Sequence, residues 1–195
     1  MATFALSPSL ANAAAFIDFA TAEGVKLYNK ATAELATKYD VEPETTNLFI
    51  EKLRDRAMAS GWDAENSNIL TVPVNGRDRN LLTEHGTMTS EQLRAHVLTY
   101  AANETRQAQN AYMMYHCIMN SLTEAGHNKV LNQQDEYMVN GIPNGPLLFK
   151  LLMKKALIDT RATLTHIRTN LSNLDSYIVS INSNIELFNQ YVRKL

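Results

Sequence analysis

The residues of this chain that could perform chemistry are five histidines, one cysteine and scattered carboxylates. A metal pair on a helix needs two histidines one turn apart, and no His-x-x-x-His or His-Glu-x-x-His spacing occurs. His116 and Cys117 are adjacent, so on a helix their side chains point about 100° apart and do not converge on one ion. We therefore expect no metal, no cofactor and no small-molecule substrate.

Signatures of covalent and phosphate chemistry are missing from the sequence as well. There is no glycine-rich phosphate loop and no serine elbow. Carboxylates such as Glu34, Glu51 and Glu91 stand alone and are typical of solvated helix charges. Asp159-Thr160-Arg161 begins like the Asp-Thr-Gly of aspartic proteases, but arginine replaces the glycine in a helical context. The sequence predicts that the chain is not an enzyme.

The composition is that of an ordinary globular protein, with 45% apolar and 19% charged residues among 195. Eighteen basic and twenty acidic residues leave a net charge of -2, which gives no overall attraction to nucleic acid or anionic lipid. The single cysteine excludes an intramolecular disulfide and favours a reducing, cytoplasmic setting. No apolar run is long enough to cross a bilayer, so we expect no membrane contact.

One local charge bias lies between residues 147 and 170, where five basic residues face a single acid, Asp159. Such a cluster could contact a polyanion such as RNA, although more often it is a solvated helix face whose aliphatic stems pack. The aromatic interleaving that supports stacking on single strands is missing. The candidates for weak RNA contact are Lys150, Lys154, Lys155, Arg161 and Arg168.

The elements that must position these residues begin with a helix predicted over residues 10–38 and broken at Asp40–Pro43. Its apolar face is shallow, so residues 1–40 are expected to form a partly independent helical extension, with one helical domain over residues 41–195. The residues of that face are Phe16, Phe19, Leu27, Ala31 and Leu35.

A second helix is predicted to start at Thr45 or Thr46 and to stop at Gly61. Trp62 follows at once and is expected to plug the core, because a tryptophan there buries a large area. Residues 68–74 form the only extended run, and Pro73 makes it an edge or isolated strand. Asn75-Gly76 signals a turn. The predicted inward residues of the helix are Phe49, Leu53, Ala57 and Met58.

The third helical region starts with Thr89 and Gln92 in the spacing of a capping box. Helical periodicity then continues to about residue 123, and the polar residues 103–105 leave open one bent helix or two abutting ones. Gly126 is expected to end this region, followed by a loop over 127–145 with at most one short helix. Pro146 fits the first turn of the next helix.

The strongest pattern is an apolar stripe over residues 157–195, which contain neither glycine nor proline. Apolar residues alternate steps of three and four there, a 3.5-residue period typical of a coiled-coil seam. The flanking positions are mostly polar and uncharged, so the stripe is either a seam inside a helical bundle or an oligomer contact. Its central residues are Leu164, Ile167, Leu171, Leu174, Ile178, Ile181, Ile185 and Phe188.

These patterns predict an all-α fold. We expect a multi-helix orthogonal bundle with a long C-terminal amphipathic helix or helix pair, and at most one short extended segment. A fold of this kind, without catalytic residues, favours an association protein.

Three stretches of the chain resemble the Gag polyprotein of copia-type LTR retrotransposons. They are residues 48–57 with Gly61-Trp62, residues 105–122, and a third group made of 159–163, 166–168, 171–175 and 184–189. The resemblance implies a helical capsid protein that assembles with copies of itself into a virus-like particle around the element's RNA. It implies no catalytic residue.

The chain departs from that family in two ways. The cysteine-rich zinc knuckle that often ends such polyproteins is missing, and the sequence stops within an amphipathic pattern at residues 193–195. We therefore expect the N-terminal part of a capsid region, truncated at its C-terminus, whose function is homo-oligomerisation. The alternative is a cellular coiled-coil or adaptor protein that binds a partner helix through residues 157–195.

Overall fold

The computed structural model describes residues 16–101, 105–172, 178 and 184–192, without the side chains of 158–167, 170–172 and 189–192. The chain divides into two compact units, Met1–Lys155 and Ala156–Leu195. It is largely helical and carries two small two-stranded sheets. The expectation of an all-α fold with at most one extended segment is therefore corrected.

The first two helices are α1, Ala22–Thr32, and α2, Pro43–Ser60. The hydroxyl of Thr21 caps α1 by accepting a hydrogen bond from the Gly24 amide at 3.0 Å. At the end of α2, Gly61 takes a left-handed conformation with φ of 69°, and the Trp62 amide donates to the Ala57 carbonyl at 3.0 Å. This Schellman arrangement explains why the helix stops at the predicted glycine.

A hairpin follows, made of β1, Thr71–Val74, and β2, Arg77–Asn80, which pair antiparallel with Val74 opposite Arg77. Asn75 and Gly76 form its two-residue turn, both at positive φ, as the turn signal predicts. The short helix α3, Leu81–Glu84, and a 3-10 turn at His85–Thr87 complete the segment.

The third helical region is two helices, α4, Ser90–Ala101, and α5, Arg106–Ser121. Thr89 and Gln92 make the reciprocal bonds of a capping box, at 2.9 and 3.1 Å. The hydroxyl of Thr105 caps α5 by accepting from the Ala108 amide at 3.1 Å. Each helix thus has its own N-terminal cap. The region is therefore two abutting helices and not one bent helix.

The segment expected to be a loop over 127–145 is instead highly structured. It contains most of α6, Glu124–Val130, a 3-10 turn at Leu131–Gln133, and α7, Gln134–Tyr137. A second hairpin follows, with β3, Met138–Val139, paired to β4, Ile142–Pro143.

Gly126 was predicted to end a helix but lies inside α6. A Cβ at Gly126 would lie 2.7 Å from the main-chain oxygen of Tyr39, so close packing rather than chain termination requires the glycine.

The last described helices are α8, Gly145–Ser172, and α9, Ile185–Val192. Pro146 lies in the first turn of α8, as expected. The side chain of Asn144 begins α8 by accepting a hydrogen bond from the Leu147 amide at 3.2 Å.

Polar side chains of α5 tie the N-terminal segment into the first unit. Buried Gln109 exchanges two hydrogen bonds with the main chain of Ile17, at 2.9 and 2.7 Å. The Ser121 hydroxyl accepts from the Leu35 amide, and the main chain of Tyr39 pairs with residues 121 and 123. Residues 16–40 therefore pack in the same unit as α5.

Burial faces follow the predicted pattern with two exceptions. Leu27 and Met58 were expected to face inward, yet they are 44% and 57% exposed. Trp62 is fully buried, and its indole Nε1 has no hydrogen-bond partner among the described residues. Met58 follows buried Ala57 by one residue, about 100° around the helix, so the helix period carries it out of the buried face.

Candidate self-association surface

The C-terminal stripe and its immediate neighbours expose several large apolar side chains among the described residues. Leu157 is 53% exposed, Ile185 76% and Leu187 43%. Ile178 and Phe188 are partly buried. Leu164, Ile167 and Leu171 lie on α8, but their side chains fall outside the described set, and Leu174 and Ile181 fall outside the described residues.

Two described helices carry parts of the stripe, and Ile178 between them is also helical. α8 ends at Ser172, and α9 begins at Ile185, directly after a polar cap at Asn184. The Asn184 carboxamide accepts from the amides of Glu186 and Leu187, at 3.0 and 3.1 Å. A residue that the heptad pattern places beside the seam is thus a helix start, which favours the predicted helix pair over a single helix.

Leu187 was missed by the sequence reasoning, because it lies off the 3.5-residue series. The signal that could have found it is the Asn184 cap. An asparagine followed by an apolar and an acidic residue marks a helix start, and the first turn of that helix holds Leu187.

The basic cluster is partly occupied by contacts within the protein. The Lys150 ammonium donates to the carbonyls of His85 and Met88, at 2.5 and 2.7 Å, and burial lowers its pKa. Lys154 lies 3.8 Å from the Glu136 carboxylate. Both are on α8 within the first unit, so two of the five predicted RNA contacts have partners already.

A groove of about 260 Å³ lies between α4 and α8 and contains these two lysines. Its third cation, Arg94, donates to the carbonyls of Asp135, Glu136 and Met138. Two carboxylates offset the three cations, so the groove attracts polyanions only weakly. The groove is lined by Ser90, Glu91, Arg94, Glu136, Leu147, Lys150, Leu151 and Lys154.

The remaining basic candidates differ in exposure. Lys155 is partly buried and Arg168 is exposed, whereas the side chain of Arg161 is not among those described.

Arg56, like Lys150 and Arg94, donates hydrogen bonds to main-chain carbonyls of the fold. Its guanidinium donates to the carbonyls of Lys30 and Ala33, at 2.7 and 2.8 Å, where α1 ends. Basic side chains at helix C-termini satisfy carbonyls that have no partner within the helix. Much of the positive charge of the first unit is therefore structural.

Burial shields the cysteine and two of the five histidines. Cys117 is fully buried, and burial raises the pKa of its thiol to about 11, so the reactive thiolate is suppressed. His96 and His116 are half-buried, and burial lowers the pKa of each. Among the described residues no group of three His, Cys, Asp or Glu side chains could hold a metal ion.

None of the described helices combines the length and apolar character needed to cross a membrane. No family model, curated protein or solved structure matches the chain. The resemblance to retrotransposon Gag therefore stays a prediction from the residues themselves.

Proposed function

We propose that this chain is a structural protein that self-associates through its C-terminal stripe, as a capsid subunit of the Gag type would. The observation that carries the proposal is the exposure of Leu157 and Ile185, two positions of an apolar pattern of 3.5-residue period, together with Leu187 beside that pattern. Large apolar side chains that recur along one helix face are stabilised by burial against another helix. A reducing, cytoplasmic setting fits the single cysteine.

Magnitudes indicate a weak contact that builds up over many copies. Complete burial of one leucine or isoleucine side chain is worth roughly 1.5–3 kcal/mol, and these three are about half exposed or more. Association costs roughly 4–15 kcal/mol in lost translational and rotational freedom. The three described side chains alone therefore cannot hold a tight dimer. They fit a subunit whose assembly needs high local concentration, or further stripe residues.

The uncharged flanks of the stripe favour copies of the chain over a foreign partner. Partner choice in coiled coils depends largely on salt bridges between flanking charged residues, and here most flanking positions are Asn, Thr or Tyr. A seam without such charges discriminates poorly, and its own copies are the partner at highest local concentration. In the adaptor alternative, the stripe would have to select a foreign helix without salt bridges from charged flanking residues.

RNA contact is a subordinate part of the proposal. We assign it to Lys155 and Arg168 before Lys150 and Lys154, since the latter two have partners in the fold. Filter binding should show weak, salt-sensitive retention of RNA. Lys155→Glu/Arg168→Glu should lower this retention more than Lys150→Gln does. Equal retention by all three proteins at low salt would remove RNA contact from the proposal.

Light scattering of the purified protein over a range of concentrations and salt tests the main proposal. The mean mass should rise with concentration in steps of the protomer mass. It should change little with salt, because the contact is apolar. A protomer mass at every concentration, together with capture of an unrelated amphipathic helix, would favour the adaptor.

A further inference from the structure

The chain contains three Asn-Gly dipeptides in different structural settings: Asn75-Gly76, Asn140-Gly141 and Asn144-Gly145. The first two form the turns of the two hairpins, where both asparagines have φ of 52° and both pairs of residues are exposed. The third starts α8 and is buried.

The chemistry at such a dipeptide is an intramolecular acyl transfer. The main-chain nitrogen of the glycine attacks Cγ of the asparagine, the side-chain nitrogen leaves as ammonia, and a five-membered succinimide forms. Water then opens the ring at either carbonyl, which gives aspartate or isoaspartate. One water is consumed and one ammonia is released, so no oxidant or cofactor is needed.

The attack requires the glycine nitrogen and Cγ to approach each other, which means rotation about the asparagine main chain. At Gly76 and Gly141 the surroundings allow this, since a Cβ built at either glycine would meet nothing within 4 Å. Each turn pair also lies between the last paired strand residues, so rotation there breaks no bond within the strands.

The setting of Asn144 opposes the same reaction. Its side-chain oxygen accepts a hydrogen bond from the Leu147 main-chain amide at 3.2 Å. The main-chain N–H of Asn144 donates to the Tyr137 carbonyl at 2.9 Å. A Cβ at Gly145 would lie 2.6 Å from the Cβ of Met114. Cγ of Asn144 is therefore held in the helix cap, and the glycine nitrogen is packed against α5.

We propose that the two hairpin turns are sites of spontaneous deamidation, at Asn75 and Asn140, while Asn144 is protected. Each conversion adds one negative charge to a chain whose formal charge is -2. Isoaspartate also inserts a methylene into the main chain of the turn. At Asn140 this lengthens the turn that leads into the cap of α8. The deamidated fraction at both hairpin turns should therefore increase with the age of the protein.

The full chain should be incubated at mildly alkaline pH, once folded and once in urea, and then digested for peptide mass mapping. In urea the three dipeptides should convert at similar rates. In the folded chain Asn75 and Asn140 should convert, whereas Asn144 should be slower by at least about tenfold, because it must wait for local unfolding. Labelling by an isoaspartate-specific methyltransferase should locate isoaspartate in both turns.

Asn140→Gln is the matched control, since its longer side chain must close a six-membered ring and should remove the signal from that turn alone. Conversion of Asn144 as fast as Asn140 in the folded chain would overturn the proposal. The proposal would also be overturned if folding slowed deamidation of Asn75 and Asn140, relative to the rates in urea, as much as it slowed deamidation of Asn144.

Discussion

Two consecutive stretches of the chain, residues 147–156 and 157–195, are both rich in large apolar residues and yet are used differently. In the first, Leu148, Phe149 and Leu152 are completely buried. Leu148 and Leu152 share one side of α8, and Phe149 lies about 100° around the helix from Leu148. In the second, Leu157 and Ile185 are 53% and 76% exposed.

The difference lies in the width of the apolar face. Residues 147–156 are apolar around most of the helix, with lysines on the remainder, and such a helix is stable only inside a core. Residues 157–195 place most of their large apolar side chains on a narrow stripe of 3.5-residue period, which suits a second helix better than a core. Apolar residues thus serve folding in one stretch and, we propose, association in the other.

The largest expected difference between the two stretches comes from truncating one apolar side chain in each. Phe149→Ala should lower the free energy of unfolding by about 3–5 kcal/mol, because it leaves a cavity in the core. Leu157→Ala should lower it by less than about 1 kcal/mol, because its side chain is already half exposed. Urea unfolding followed by circular dichroism measures both. Similar losses of unfolding free energy in the two variants would contradict the distinction between a core stretch and an exposed stripe.

The close packing at the start of α8 gives the next largest effect. Gly145→Ala places a methyl group 2.6 Å from both the Met114 Cβ and the Tyr115 main-chain nitrogen. It should lower the free energy of unfolding by about 1–3 kcal/mol. Gly86→Ala is the control, since a Cβ there would meet nothing within 4 Å. The thermal midpoint should fall for Gly145→Ala alone, and an equal fall in both would contradict the packing described.

Removing the N-cap of α9 should have a smaller effect on stability, and this effect lies in the second stretch. Asn184→Ala removes the acceptor for two amides and should cost about 0.5–2 kcal/mol of local helix stability. Amide hydrogen exchange of residues 185–188 should become faster, with no change in α5. Asn184→Ser should keep most of the protection, because serine caps helices nearly as well. Unchanged exchange in the alanine variant would mean that α9 does not depend on its cap.

The smallest expected effect is a pH dependence confined to the first unit. Burial lowers the pKa values of His96 and His116, so the folded protein binds fewer protons than the unfolded chain below pH about 6.5. Their contribution to stability is complete above that pH and declines as the pH falls towards the lowered folded-state values. Urea midpoints at neutral pH and at pH about 5 should differ less in His96→Gln/His116→Gln than in the wild type. An equal decline in both proteins would assign the effect to other groups.

Local signals predicted much of the fold. Gly61, the Thr89–Gln92 capping box and the Asn75-Gly76 turn each specify their structure through two or three neighbouring residues. Such contacts can be read directly from the sequence. The largely helical character follows from the apolar periodicity in the same way.

The second hairpin carries the same Asn-Gly turn signal as the first, at Asn140-Gly141, but its strands are only two residues long, so no alternating apolar pattern marks them. The place of residues 16–40 could not be predicted, because it depends on contacts between distant residues. Gln109 holds Ile17 across 92 positions of sequence, and Gly126 is required by an oxygen of Tyr39. The candidate surface was predicted in part. Its apolar period was visible, whereas the helix start at Asn184 was missed, although Asn184-Ile185-Glu186 carries the sequence signal of an N-cap.

The measurement that tests self-association most directly is sedimentation velocity of paired variants over a range of concentrations. Leu157→Asp/Ile185→Asp changes the stripe, and Met58→Asp/Leu131→Asp changes two residues of the first unit that are 57% and 53% exposed. We expect the wild type and the second variant to associate with rising concentration, and the first variant to remain a folded monomer. Loss of association in both variants, or a monomeric wild type at every concentration, would contradict the assignment of self-association to the stripe.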